Sequence, residues 1–327
     1  MTEISLNLDL PTLTELEFAA NLIRRYMPPT PQFAWPLLAA RTGAEVFVKH
    51  ENHPPIGAFK LRGGLVYLHD LLQRQPDCPG VIAATRGNHG QSVAFAARQF
   101  GVKARIIVPE GNSREKNAAM QAWGGELIVH GHDFQAALEH AKRLAETEGW
   151  HFLPSFHRTL VQGVGTAALE FFRAVADVDT VYVPIGLGSS ICGALAARNA
   201  LKIATKIVGV VAAKAPCYAL SFAAGKPVST ERADTLADGL ACRVPDADAL
   251  TAIRAGVERI VTVTEEEIEE AMRIYFSDTH QIAEGAAAAA LAALLQDRAQ
   301  MQGKRVGLIL TGGNIDRDVY QRILAKG

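Results

Sequence analysis

The stretch E-N-H-P-P-I-G-A-F-K-L-R-G-G, residues 51–64, decides how the chain reads. It sets one lysine, Lys60, behind a Gly-Ala-Phe turn and ahead of an apolar, helix-patterned run over 61–72. A lysine beside Phe59, between small residues and an apolar helix, is placed to lose water, and desolvation disfavours its charged form. Lys60 is therefore a candidate amine nucleophile or Schiff-base former. The plainer alternative is a surface lysine whose stem lies along apolar neighbours. Just upstream, E-V-F-V-K at 45–49 is a short strand that delivers this loop.

Outward from the lysine loop, apolar runs alternate with helical patterns. Upstream, 15–26 patterns as a helix with Leu16, Ala19, Leu22 and Ile23 on one face. The M-P-P-T-P that follows is extended, because each proline biases its predecessor away from the α region. Downstream, strands are expected at 81–84, 104–108, 126–129, 180–184, 207–212, 261–264 and 306–310. Helices are expected near 88–100, 113–123, 134–148, 166–175, 190–201, 265–275 and 285–297, and from 316. Short apolar strands separated by helices imply parallel sheets with right-handed crossovers. The chain is thus α/β in two modules, the first ending near 148–150. Residues 223–245 show no period and read as a long loop, a length more often functional than idle.

Bulk properties exclude several classes. The 327 residues suffice for one large or two ordinary domains, and 49% hydrophobic against 20% charged residues allow a sizeable core. The formal net charge is −1 with no basic stripe, which argues against nucleic acid and anionic membrane as partners. Residues 1–11 carry neither a basic nor an apolar leader segment, and no apolar run is long enough to span a bilayer. Cys78, Cys192, Cys217 and Cys242 are scattered and read as free thiols in a reducing compartment, so a cytoplasmic protein is expected.

Ligands of open α/β sheets sit beyond the carboxyl ends of the strands, and three loops there stand out. In A-T-R-G-N-H-G-Q, residues 84–91, Thr85 or Asn88 can cap the next helix, whose free N–H groups make a carboxylate site. In P-I-G-L-G-S-S-I-C-G, residues 184–193, Gly186 and Gly188 let the backbone approach a ligand, and N–H groups through Ser190 can cradle a phosphate. The spacing misses the dinucleotide fingerprint, and the first charged residue after the next strand is Lys214, not an acid. An NADP site with Lys214 on the 2′-phosphate stays open as an alternative. In L-T-G-G-N-I-D, residues 310–316, Thr311 offers a neutral hydroxyl beside two glycines.

Together these loops resemble the serine/threonine dehydratase and serine racemase family of fold-type II pyridoxal-phosphate enzymes, over about residues 33–324. K-x-E at 49–51 with G-A-F-K-L-R-G at 57–63 resembles the dehydratase lysine motif. It differs from the cysteine synthase pattern, where Asp-Arg follows the lysine. G-N-H at 87–89 resembles the asparagine loop, 186–189 the tetraglycine loop, G-V-G-T at 163–166 a G-Q-G-T, and T-G-G-N at 311–314 an S-G-G-N. Ala237-Asp238-Gly239 is also shared.

The resemblance implies a tryptophan synthase β-like fold: open, mostly parallel twisted sheets flanked by helices. A large cofactor-binding domain would comprise 1–52 and 151–327, and a small mobile domain 53–150. Lys60 would hold pyridoxal phosphate and act as general base on the α-proton, with Phe59 packed on the ring. Gly186, Leu187, Gly188 and Ser189 would bind the phosphate, Asn88 the 3′-oxygen, and Thr311 would face the pyridine nitrogen. Glu284, in Q-I-A-E-G-A, would lie near the ring or serve as a helix cap. Thr85, Arg86, Gly87, Asn88 and His89 would hold the substrate carboxylate. The implied reaction is β-elimination of a β-hydroxy amino acid of threonine or serine type to a 2-oxo acid and ammonia, in a homodimer. Amino-acid racemisation is the alternative within the fold.

The sequence departs from the family at three places. Arg86 stands where the family has serine or alanine, and a guanidinium with a pKa above ~12 cannot shuttle protons, which weighs against racemisation. Arg86 can instead pair with a substrate carboxylate, and 3-hydroxyaspartate or phenylserine becomes a candidate substrate. Val211 and Cys217 stand where family members carry metal-binding carboxylates, and 207–220 contains no acid, so no metal is expected and chelators should leave activity intact. Leu187 and Ser189 replace two glycines of the phosphate loop, which is tolerable if both keep negative φ. His130 and His132 have no third ligand in view, and no regulatory domain is expected after residue 327.

Overall fold

The structure, a computed structural model, describes residues 9–326. Most of the leader reading, residues 1–8, lies outside the described residues. Helix α1 (Leu13–Ile23) starts at a reciprocal cap between Thr12 and Glu15 and buries Leu16, Ala19, Leu22 and Ile23. Then come β1 (Gln32–Ala34), α2 (Pro36–Thr42), β2 (Glu45–His50) and α3 (Lys60–Arg74). The next segment runs β3 (Gly80–Ala84), α4 (Asn88–Gln99), β4 (Lys103–Val108), α5 (Arg114–Ala122), β5 (Glu126–Val129), α6 (Phe134–Glu148) and β6 (His151–Phe152). The last segment begins with α7 (Arg158–Ala174), β7 (Thr180–Pro184), α8 (Ser189–Leu201), β8 (Lys206–Ala212), α9 (Cys217–Ala224) and α10 (Ala247–Gly256). It closes with β9 (Arg259–Val263), α11 (Glu265–Thr279), α12 (Gly285–Asp297), β10 (Arg305–Leu310) and α13 (Arg317–Leu324).

The strands form two sheets, a six-stranded one in the order β1-β2-β10-β7-β8-β9 and a four-stranded one in the order β5-β4-β3-β6. Every pairing is parallel except β1 with β2. The central strands β3 and β7 are buried along their whole length, as strands covered on both faces by helices must be. Helix α12 is covered all round: residues 286–290, an alanine run, are buried throughout, so small side chains admit a helix into the core beside β7 and β10.

Two expectations are corrected here. Five short elements, β1, α2, β6, α9 and α10, were not expected; none is long enough to show a clean period. Helix α7 begins at Arg158, not near Thr166, so Gly163-Val164-Gly165-Thr166 lies inside a helix. The glycines are there for contact: a Cβ on Gly163 would sit 2.3 Å from the Arg62 carbonyl, and one on Gly193 2.8 Å from Gly165 N. They let α7 meet α3 and α8 backbone to backbone. Residues 225–245 are irregular apart from one 3-10 turn at Asp238–Leu240, as a long loop should be, while 223 and 224 close α9.

A buried ion cluster fixes α3 to the six-stranded sheet. Arg62, fully buried, bonds Glu51 through Nε (2.8 Å) and Nη2 (2.9 Å), and Glu170 of α7 through Nη1 (2.9 Å) and Nη2 (2.8 Å). Lys49 adds a 2.7 Å bond to the same Glu170. Two cations against two carboxylates leave no unpaired charge, the condition under which buried ions are tolerated. Among the described residues, no helix is long and apolar enough to cross a membrane.

Candidate active site

Lys60 is the first residue of α3, and its backbone is held from three sides. Phe59 N–H donates to Thr311 O (3.0 Å), Ala58 bridges Gly312, and the Ser92 hydroxyl donates to Lys60 O (2.6 Å). The Asn314 carboxamide donates to Ile56 O (2.8 Å), so the loop after β10 is stitched to the lysine loop along its length. The Lys60 side chain passes the Phe59 ring, Nζ 5.1 Å from its centroid, and reaches Ser189 Oγ at 3.3 Å. Among the described residues no carboxylate lies within ion-pair distance of Lys60. Desolvation alone pushes its amine down to about 8.

Ser189 opens α8, and the loop before it is shaped by its glycines. Gly188 has φ 102°, in the left-handed region, and a Cβ on Gly186 would lie 2.1 Å from Gly239 O. Leu187 and Ser189 keep negative φ, since the non-glycine residues with positive φ among the described residues are Asp177, Lys202 and His280. Tyr218 braces the loop, its hydroxyl donating to Leu187 O (2.9 Å) and accepting from Asp246 N (3.0 Å).

In the third loop Thr85 performs the capping, and Asn88 does not. Thr85 Oγ1 accepts from Gly87 N (2.9 Å) and Gly90 N (3.2 Å). Asn88 instead sends Nδ2 to Glu284 Oε1 (2.6 Å) and receives Asn314 Nδ2 on Oδ1 (2.8 Å). Glu284, at the N-cap position of α12, caps nothing with its side chain. His89 is buried with Nε2 unpaired, and burial, reinforced by the Lys60 charge, pushes its imidazole down to about 3, so the ring is neutral. Arg86 is the exposed member, with Nε 4.0 Å from Asp238 Oδ1 and 45% of its side chain accessible.

Lys60, Phe59, Asn88, Glu284, Thr311 and the 186–189 loop are thus linked into one cluster by these contacts, and the 85–89 loop joins it through Asn88. Three contributors escaped sequence reading: Ser92, Tyr218 and Lys116. The buried Lys116 ammonium lies 3.2 Å from Asp238 Oδ2 and 3.6 Å from Glu284 Oε2. Only the shared Ala-Asp-Gly at 237–239 hinted that a cation would be needed opposite it. His130 stacks on His140 with centroids 3.8 Å apart. Val211 and Cys217 are buried in an apolar cluster, and the described residues contain no group of three or more His, Cys, Asp or Glu placed to hold a metal ion. Lys214 is exposed.

The pyridoxal-phosphate dependent enzyme family matches residues 23–312. L-threonine ammonia-lyase of Thermotoga maritima is 33% identical over 97% of this chain and 79% of its own length. L-threo-3-hydroxyaspartate ammonia-lyase of Saccharomyces cerevisiae is 30% identical over 96% and 97%. A crystal structure of a pyridoxal 5'-phosphate-dependent aspartate racemase superposes with a TM-score of 0.90 at 28% identity, covering 95% of this chain and 97% of that one. The chain spans 55% of the length of the biosynthetic L-threonine dehydratase of Escherichia coli, to which it is 33% identical. These matches leave the nicotinamide alternative without support.

Proposed function

The chain belongs to the pyridoxal-phosphate dependent enzymes, in the serine/threonine dehydratase and serine racemase group, and from that premise we propose an ammonia-lyase acting on β-hydroxy amino acids. The residues present fit the cofactor. Lys60 is a desolvated amine with no acidic partner among the described residues, and it faces a glycine-shaped loop at the N-terminus of α8. An added Cβ would also close the approach at Gly312, 2.7 Å from Glu284 Oε1.

Bound pyridoxal phosphate supplies the electron sink at the substrate's α-carbon. Lys60 would hold it through Nζ, with Phe59 against the ring and Asn88, backed by Glu284, at the 3′-oxygen. Gly186, Leu187, Gly188 and Ser189 would offer backbone N–H groups to the phosphate. Thr311 would face the ring nitrogen, and its neutral hydroxyl, unlike a carboxylate, would not hold a proton there, which would suit loss of a β-substituent over transamination. The N–H groups of Thr85, Arg86, Gly87, Asn88 and His89 would orient the substrate carboxylate. Lys60 Nζ would then take the α-proton. Residues 53–150 are read as a small mobile domain on a large one comprising 1–52 and 151–327. A homodimer is carried over from the family resemblance, and the free cysteines support a cytoplasmic setting.

The observation that carries the reading is the desolvated Lys60 amine, which meets the Ser189 hydroxyl and, among the described residues, no carboxylate within ion-pair distance. Holoenzyme offered serine, threonine, 3-hydroxyaspartate and phenylserine in each configuration should release ammonia and a 2-oxo acid from at least one. Inversion of configuration without ammonia from any of them would overturn the reading in favour of a racemase, the activity of the aspartate racemase it resembles. The exposed Arg86 guanidinium is read as the group that meets a distal carboxylate. Arg86→Ser should then lower kcat/KM for 3-hydroxyaspartate by about tenfold more than for threonine.

A further inference from the structure

We propose that Lys116 is a positioning residue of this site: it spans from beneath the Gly87–Asn88 turn to Asp238 and Glu284, and through Glu284 it fixes the Asn88 carboxamide opposite Lys60. The inference rests on the reading of Lys60 and Asn88 as cofactor-holding residues. Three independent contacts carry it. The Lys116 stem lies against the turn, since a Cβ on Gly87 would sit 2.5 Å from Lys116 Cδ. Its ammonium lies between two carboxylates, 3.2 Å from Asp238 and 3.6 Å from Glu284. Glu284 in turn receives Asn88 Nδ2 at 2.6 Å, while Asn314 closes the other end of the same carboxamide at 2.8 Å.

Helix α5 is held in register for this task by an exchange of caps with α13. Asp316, at the N-cap position of α13, turns its carboxylate to Ser113 Oγ and to Glu115 N (3.3 Å) at the start of α5. Glu115 returns the contact, accepting from Arg317 N (2.9 Å). Each helix thus satisfies the other's free N–H groups. Lys116 follows in the first turn and is aimed inward, although α5 packs on the four-stranded sheet and Glu284 begins a helix of the six-stranded one.

The charges define what Lys116 contributes. Facing it are Glu284, Asp238 and, further off, Asp316. Arg86 is the second cation near Asp238. Burial works against the Lys116 charge, but the Glu284 and Asp238 carboxylates outweigh it and hold the ammonium above its usual range. Glu284 is different: burial pushes its carboxyl up, and Lys116 is the largest effect opposing that. Both groups are raised: Lys116 because two carboxylates face it, and Glu284 because burial, with Asp238 adding to it, outweighs the single cation. Without Lys116, Glu284 takes up a proton at higher pH, and its oxygen ceases to be a dependable acceptor for Asn88.

The test combines a titration of cofactor-free protein with kinetics of the holoenzyme. The Glu284 carboxyl, followed by 13C NMR of glutamate-labelled protein and assigned by its loss in Glu284→Gln, should titrate about one to three units higher in Lys116→Met. In holoenzyme, Lys116→Met should lower kcat by about 10²-fold, with Lys116→Arg recovering most of it. In a Glu284→Gln background, where no charge needs holding, the same Lys116→Met change should cost less than about threefold, a non-additivity expected of groups acting in one network. An unchanged Glu284 titration, or a full loss repeated in the Glu284→Gln background, overturns the proposal. Should Lys116→Met fail to fold alone, the double variant decides by the same comparison. The titration needs neither cofactor nor turnover, so its outcome is separate from that of the ammonia-lyase reading.

Discussion

At the scale of residues, the chemistry converges on Lys60. Its amine is pushed down to about 8 by desolvation, and only the neutral amine is a nucleophile. Cofactor-free protein should therefore take up pyridoxal phosphate faster as pH rises through about 8, then level off. Stopped-flow absorbance from pH 6 to about 10 checks this; a lysine of ordinary pKa near 10.4 would still be gaining rate at the top of that range. Lys60 was legible in the sequence because its surroundings are local: Phe59 before it, small residues around it and an apolar helix after it. Asn88, Thr311 and the 186–189 loop were legible for the same reason, each following its own strand. Lys116 was not. Its partner Asp238 is 122 residues away, and nothing in R-E-K-N-A-A-M distinguishes a buried cation from a solvated one.

Among elements, the phosphate-binding reading of the loop before α8 can be tested by a change that removes no backbone N–H donor. Gly186→Ala would drive a Cβ to 2.1 Å from Gly239 O, a backbone atom that cannot swing away. Overpacking of that kind costs about 1–3 kcal/mol. The expected outcome is cofactor affinity weakened by about tenfold or more with the fold retained, read by absorbance titration and far-UV circular dichroism. Unchanged affinity would separate this loop from the cofactor. The long elements were readable: α6 spans Phe134–Glu148, as its apolar spacing predicted, and every long strand was anticipated within two residues. The start of α7 was hidden because Gly163 and Gly165 read as a loop motif, whereas they serve close helix packing. Short elements such as β1 and α2 depend on tertiary contact, β1 existing only through its pairing with β2.

For the whole molecule, the Arg62–Glu51–Glu170–Lys49 cluster, buried except for part of Glu170, joins β2, α3 and α7 and so secures the helix that carries Lys60. Burial opposes the Glu51 charge, but Arg62 and Lys49 outweigh it and hold the carboxyl below its ordinary value of 4.5. A depressed carboxyl stabilises the fold fully above its unfolded pKa, and that stability is lost as pH falls through the folded value. Glu51→Gln leaves Arg62 underpaired, should cost about 3–5 kcal/mol at pH 7, and should flatten the acid limb of a Tm-against-pH profile. A variant with the wild-type acid limb would remove Glu51 from the account. The central claim is that Lys60 carries the cofactor, and peptide mapping of borohydride-reduced holoenzyme tests it most directly. The account predicts the reduced pyridoxyl group on Lys60, with no adduct in Lys60→Ala. An adduct on any other lysine, or none on Lys60, would contradict it.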